Sequence, residues 1–113
     1  MKFICVPVNN DALRRLDFDK NIDGDLLQII LNDEIIDKLM AADFFSNINK
    51  LTGAMIDIFE DEGITDAACL RRVIESSLFE KMSNDSLLAP IVKEIEILFG
   101  EAIARKTGIF FYF

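Results

Sequence analysis

At 113 residues, 51% of them apolar and ten of them Phe, the chain fits one domain with its own core, which argues against wholesale disorder. Twenty Asp and Glu against twelve Lys and Arg leave a net charge of −8, a field that repels nucleic acid and anionic membranes and draws basic partners. The absence of His removes the usual general base, the Ser-His and Cys-His nucleophile pairs and the commonest transition-metal ligand, so no enzyme is expected.

The start, MKFICVPVNND, has no long apolar core behind Lys2 and does not read as a signal peptide. No apolar run approaches the roughly 18 residues of a membrane span. Cys5 and Cys69 are too few and too far apart for a disulfide framework or a zinc site, and read as free thiols in a reducing cytosol. Glycine-rich phosphate loops are missing as well. A single cytoplasmic domain over residues 1–113, with no cofactor and no metal, is the expectation.

Lys2 to Val8 (KFICVPV) is rich in β-branched and aromatic residues and predicts a strand, with Pro7 near its end or at a sheet edge. From there the pattern reads as helical. Ala12 to Phe18 predicts one or two turns, and Asp25 to Leu31 a short apolar stretch. Asn32 caps a segment with Ile35, Ile36, Leu39, Met40 and later Phe44 at helical spacing. Gly53 and Gly63 bracket Ala54 to Glu62. Thr65 or Asp66 caps a helix burying Cys69, Leu70, Val73, Ile74 and Leu78. The clearest helix runs from about Ser86 to Lys106, with Pro90 tolerable in its first turn and Gly108 as a C-cap. Ile109 to Phe113 (IFFYF) predicts a second strand, able to pair with the first. The fold class is therefore mainly α (α+β), a helical bundle of about five helices with a small two-stranded sheet from the N- and C-terminal strands. Phe44, Phe45, Phe59, Phe79 and Phe99 are assigned to the core, and Arg71-Arg72 to an intrahelical pair with Glu75.

Two stretches imitate known sites. Asp19-Lys20-Asn21-Ile22-Asp23-Gly24-Asp25 resembles the start of an EF-hand calcium loop, with oxygen side chains at loop positions 1, 3 and 5 and Gly at 6. Ile30 stands at position 12, where the bidentate Glu belongs, and a polar turn leading into a helix explains the same residues. Asp85-Ser86-Leu87, together with EIEILFG over 94–100, resembles the acyl-carrier-protein family, whose Ser carries phosphopantetheine. Ser86 lies too near the C-terminus for that family, IFFYF stands where its further helices belong, and Asp85 and Ser86 are ordinary N-cap residues.

The carboxylates fall in two groups: Asp57, Glu60, Asp61 and Glu62, and Asp17, Asp19, Asp23 and Asp25. Acidic residues crowded at the end of a helix oppose its macrodipole and repel one another, so local stability does not account for the first group. Both groups are expected to contact a basic partner. In size, acidity and lack of His the chain resembles the bacterial immunity proteins of contact-dependent growth inhibition systems. That resemblance implies a cognate toxin domain, often a ribonuclease acting on tRNA, neutralised at or beside its active site, with no direct nucleic-acid or membrane binding. The alternatives are a small acidic metal- or ligand-binding module built on a degenerate loop at 19–30, and an obligate subunit or homodimer pairing through the edge of Ile109 to Phe113.

Overall fold

The computed structural model describes residues 2–113, which form six helices and four strands. In chain order these are β1 (Lys2–Pro7), α1 (Asn10–Asp17), β2 (Leu26–Leu31), α2 (Asp33–Ala41), α3 (Phe44–Thr52), β3 (Asp61–Ile64), α4 (Ala67–Glu75), α5 (Leu78–Lys81), α6 (Ala89–Arg105) and β4 (Ile109–Tyr112). The strands make one sheet in the order β2-β1-β4-β3, every neighbouring pair antiparallel. The architecture is α+β, and the terminal strands do pair, as Phe3 with Tyr112 and Cys5 with Phe110.

The sheet is twice the expected width because two segments read as helical are strands. Over Leu26–Leu31 (LLQIIL), adjacent Ile29 and Ile30 favour the pleat, and polar turns on both sides leave too few residues for a helix to repay its nucleation. A continuous apolar run carries no period, so spacing alone could not assign it. Ala54 to Glu62 is not a helix either. Asp61–Ile64 pairs with β4, and Gly63 suits that site because a Cβ there would lie 2.6 Å from the Phe110 ring. β4 consequently occupies the middle of the sheet, and the free edge expected along Ile109 to Phe113 is filled by β3 on one side and β1 on the other.

Caps follow the sequence closely. The side chains of Asn9, Asn32 and Asp66 accept N–H groups from the first turns of α1, α2 and α4. The long helix starts at Ala89 rather than Ser86, with Asp85 Oδ1 accepting from Leu87 and Leu88 ahead of it. It ends on Lys106 in the left-handed region (φ 57°), so Lys106 and not Gly108 is its cap. Gly108, at φ 146°, instead turns the chain into β4 where a Cβ would meet Ile64 O at 2.9 Å. Arg72 donates to Leu51 O at 2.8 Å, and among the described residues neither Arg71 nor Arg72 forms the expected ion pair with Glu75.

One face of the sheet carries Ile4, Val6, Leu27, Ile29, Leu31, Ile64, Ile109 and Phe111 against the helices. Phe44, Phe45, Phe79, Phe99, Phe111 and Phe113 form a connected aromatic core, with ring centroids 5.1 Å apart for Phe45 and Phe113 and 5.8 Å for Phe79 and Phe99. Phe59 is the exception among the aromatics assigned to the core: it is 88% exposed. No helix among the described residues is long and apolar enough to cross a membrane.

Candidate functional site: an acidic groove on the outer sheet face

Strand alternation sends Phe3, Cys5 and Pro7 of β1, Leu26, Gln28 and Ile30 of β2, Phe110 and Tyr112 of β4, and Asp61 of β3 to the opposite face. α1 packs on this face, where Ala12 and Cys5 are buried. Burial pushes the Cys5 thiol up to about 12, which holds it protonated and unreactive. Beyond the end of α1 the face stays open as a concave groove of about 690 Å³ lined by Phe3, Leu16, Asp17, Asp19, Asn21, Leu26, Asp61 and Tyr112.

The floor is the Phe3–Tyr112 pair, stacked with centroids 4.9 Å apart across the β1–β4 ladder. Asp17 and Asp19 come from the end of α1, where Asp19 adopts φ 54° and turns the chain over the groove. Asp61 comes from the far edge strand, directly opposite Tyr112. The Tyr112 hydroxyl is pushed up to about 12, first by burial and then by the acidic groups of Cys5, Asp61, Asp17 and Asp19 around it. It is therefore a neutral donor and acceptor at the centre of a negative field.

The eight carboxylates singled out by sequence divide sharply. Asp17, Asp19 and Asp61 meet in the groove. Asp23, Asp57 and Glu60 are exposed outside its lining. Asp25 and Glu62, expected on a partner-facing surface, are occupied internally. Asp25 is 4% exposed and receives a two-pronged bond from Arg15, Nε to Oδ2 at 2.8 Å and Nη2 to Oδ1 at 2.6 Å, with the Ile22 N–H adding a third at 3.0 Å. The Arg15 bonds, then the Ile22 bond, hold its carboxyl down at about 2. Glu62 accepts from Met55 N at 2.6 Å and from Gly63 N at 3.0 Å, tying the preceding loop to β3. It thus has the local stabilising role the sequence did not reveal.

Arg15 also claims the carboxylate that follows the glycine of the EF-hand-like stretch, and Ile30 lies in β2. Among the described residues no group of three or more His, Cys, Asp or Glu side chains is placed to hold a metal ion.

Sequence reasoning missed the apolar half of the site, Phe3, Tyr112, Leu16 and Leu26. The available signal was that KFICVPV and IFFYF are apolar at successive positions, so both faces of each strand carry nonpolar groups. It also missed Phe59, which stands at the same end of the sheet, two residues before Asp61 and with the Lys2 ammonium 5.8 Å from its ring centre. An aromatic floor under three carboxylates suits a guanidinium or ammonium group whose aliphatic stem lies on the rings. Compared with known proteins, the chain matches no family model, no curated protein and no solved structure.

Proposed function

We propose that the chain is a non-catalytic protein-binding inhibitor, an immunity protein that neutralises a basic nuclease toxin domain of the tRNase type through this groove. The observation that carries the reading is the convergence of Asp17 and Asp19 from the end of α1 with Asp61 from the edge strand β3 on the Phe3–Tyr112 floor. Nuclease sites are lined with Lys and Arg because they bind phosphates, and an acidic concave surface competes for the same side chains. The net charge of −8 extends that attraction to long range and speeds encounter. The apolar floor supplies desolvation, without which exposed ion pairs contribute little.

The test looks beside the gene for a long reading frame that ends in a basic C-terminal domain and pairs the chain with that domain. The wild type should form a complex with it and protect cells that express it. Asp17→Asn, Asp19→Asn and Asp61→Asn combined should slow association about tenfold and flatten its salt dependence. Replacing Asp23, Asp57 and Glu60 instead should have a smaller effect. Equal effects of the two triple variants would remove the groove from the interface, and no complex at all would remove the immunity reading.

A further inference from the structure

The two edges of the sheet are built differently. β3 is short, carries Asp61 and Glu62, and is tied to the loop before it by the Glu62 bond to Met55 N. Charge, brevity and cover are the usual protections of an edge strand. β2 has none of them: it is six residues long, LLQIIL, without a charge or a proline. Beside it Ile30 is 60% exposed on the outer face and Ile97 of α6 is 54% exposed on the inner side. A hollow of about 320 Å³ runs between strand and helix, lined by Leu27, Gln28, Ile29, Glu94, Ile97 and Leu98 among others.

The hydrogen-bond phase along β2 is fixed by one contact. Val8 N–H donates to Asp25 O at 2.8 Å, so the backbone groups of Asp25 face β1. Alternation then turns those of Leu27, Ile29 and Leu31 toward β1 and those of Leu26, Gln28 and Ile30 out to the free edge. We infer that this edge pairs with the β2 edge of a second copy of the chain, antiparallel about a twofold axis at Gln28, to make one continuous sheet through both molecules.

Among the registers that keep the two faces matched, this one pairs all three outward-facing residues of the strand. Centring on Gln28 sets Leu26 opposite Ile30 of the second copy, so the outward-facing backbone groups meet one another. On the outer face Gln28 meets its counterpart and Leu26 meets Ile30; on the inner face Leu27 meets Ile29. Shifting by one residue would set inner side chains against outer ones. Within the strand no pair places like charges together, while Glu94 and Glu101 of α6, which line the hollow beside it, add to the repulsion between copies. The twofold satisfies the requirement that a dimer interface be self-complementary. Ile97 lies where the two inner layers approach, and covering it and Ile30 adds apolar area to the backbone bonds.

Because each copy carries −8, long-range repulsion opposes the pairing and salt should strengthen it. That sign is opposite to the one expected for a basic partner in the groove, which separates the two interactions experimentally. Sedimentation of the full chain over roughly 5–200 μM should show a monomer–dimer equilibrium that tightens several-fold between low and high salt. By NMR hydrogen exchange, the amides of Leu26, Gln28 and Ile30 should gain protection as concentration rises, while those of Leu27, Ile29 and Leu31 are protected throughout. Ile30→Lys should weaken dimerisation at least about tenfold while leaving the circular dichroism spectrum unchanged. A wild type that stays monomeric across the range in high salt overturns the inference. So does a dimer whose Leu26, Gln28 and Ile30 amides exchange independently of concentration.

Discussion

Phe59 holds a backbone conformation that its side chain disfavours, and substituting it separates the cost of that conformation from the worth of the ring. Its φ is 65°, in the left-handed region, and its ring is 88% exposed. A residue with a Cβ pays about 1–2 kcal/mol in that region relative to glycine, against which glycine loses about 0.5–1 kcal/mol more chain entropy on folding. The Lys2 ammonium, 5.8 Å from the ring centre, returns about 0.5 kcal/mol at an exposed site. Phe59→Ala keeps the strain and loses the ring, whereas Phe59→Gly loses both. The glycine variant should therefore be the more stable of the two by about 0.5–1 kcal/mol, or about 2–4 °C in Tm for a domain of this size. Thermal melts and urea titrations of both variants in one buffer measure this. An alanine variant equal to or more stable than the glycine variant would refute the assignment of strain. Within the immunity reading both variants should also bind the toxin domain more weakly, since strain held at an exposed aromatic is a signature of a contact residue.

Asp25 makes stability depend on acidity in a defined window. Its folded carboxyl sits at about 2, below the unfolded value near 4, so its contribution is complete above about pH 4 and is lost as pH falls toward 2. The stability gap between wild type and Asp25→Asn should be flat from neutral pH down to about 4 and close below it; a gap that persists to pH 2 would show that charge is not what Asp25 contributes. Gly63→Ala should cost about 1–3 kcal/mol by chemical denaturation, because the new Cβ falls 2.6 Å from Phe110 and the ring must move. In the native protein a thiol reagent should modify half-buried Cys69 well before Cys5, whose thiol is held up at about 12; equal rates would mean that the α1 side of the sheet opens readily.

Local chemistry was the legible part of the fold. Asn32 and Asp66 announce helix starts through their own side chains, and the run of β-branched and aromatic residues marks the terminal strands. The two edge strands were not legible, because LLQIIL carries no period that separates a helix from a strand and its pairing with β1 decides. DEGI reads as a charged turn until Phe110 and Tyr112 are laid beside it. Half of the site failed for the same reason. Asp17, Asp19 and Asp61 are recognisable as acidic, but their convergence depends on the strand order, and so does the loss of Asp25 to Arg15. Phe59 was misplaced because composition says how much aromatic surface a chain has to bury and not which ring stays outside.

The central pairing of β1 with β4 sets the order of assembly. Phe3 and Tyr112 come from opposite ends of the described segment, so closing their ladder encloses nearly the whole chain and is the entropically slowest contact to make. β1 and β2 can associate early, whereas β3 has no place until β4 has docked between it and β1. A partly folded chain would therefore hold Asp17 and Asp19 without Asp61 or Tyr112, and would present no floor to a cationic side chain. If the groove is the recognition surface proposed above, binding becomes a kinetic checkpoint, open only to molecules that have completed the longest-range step of folding.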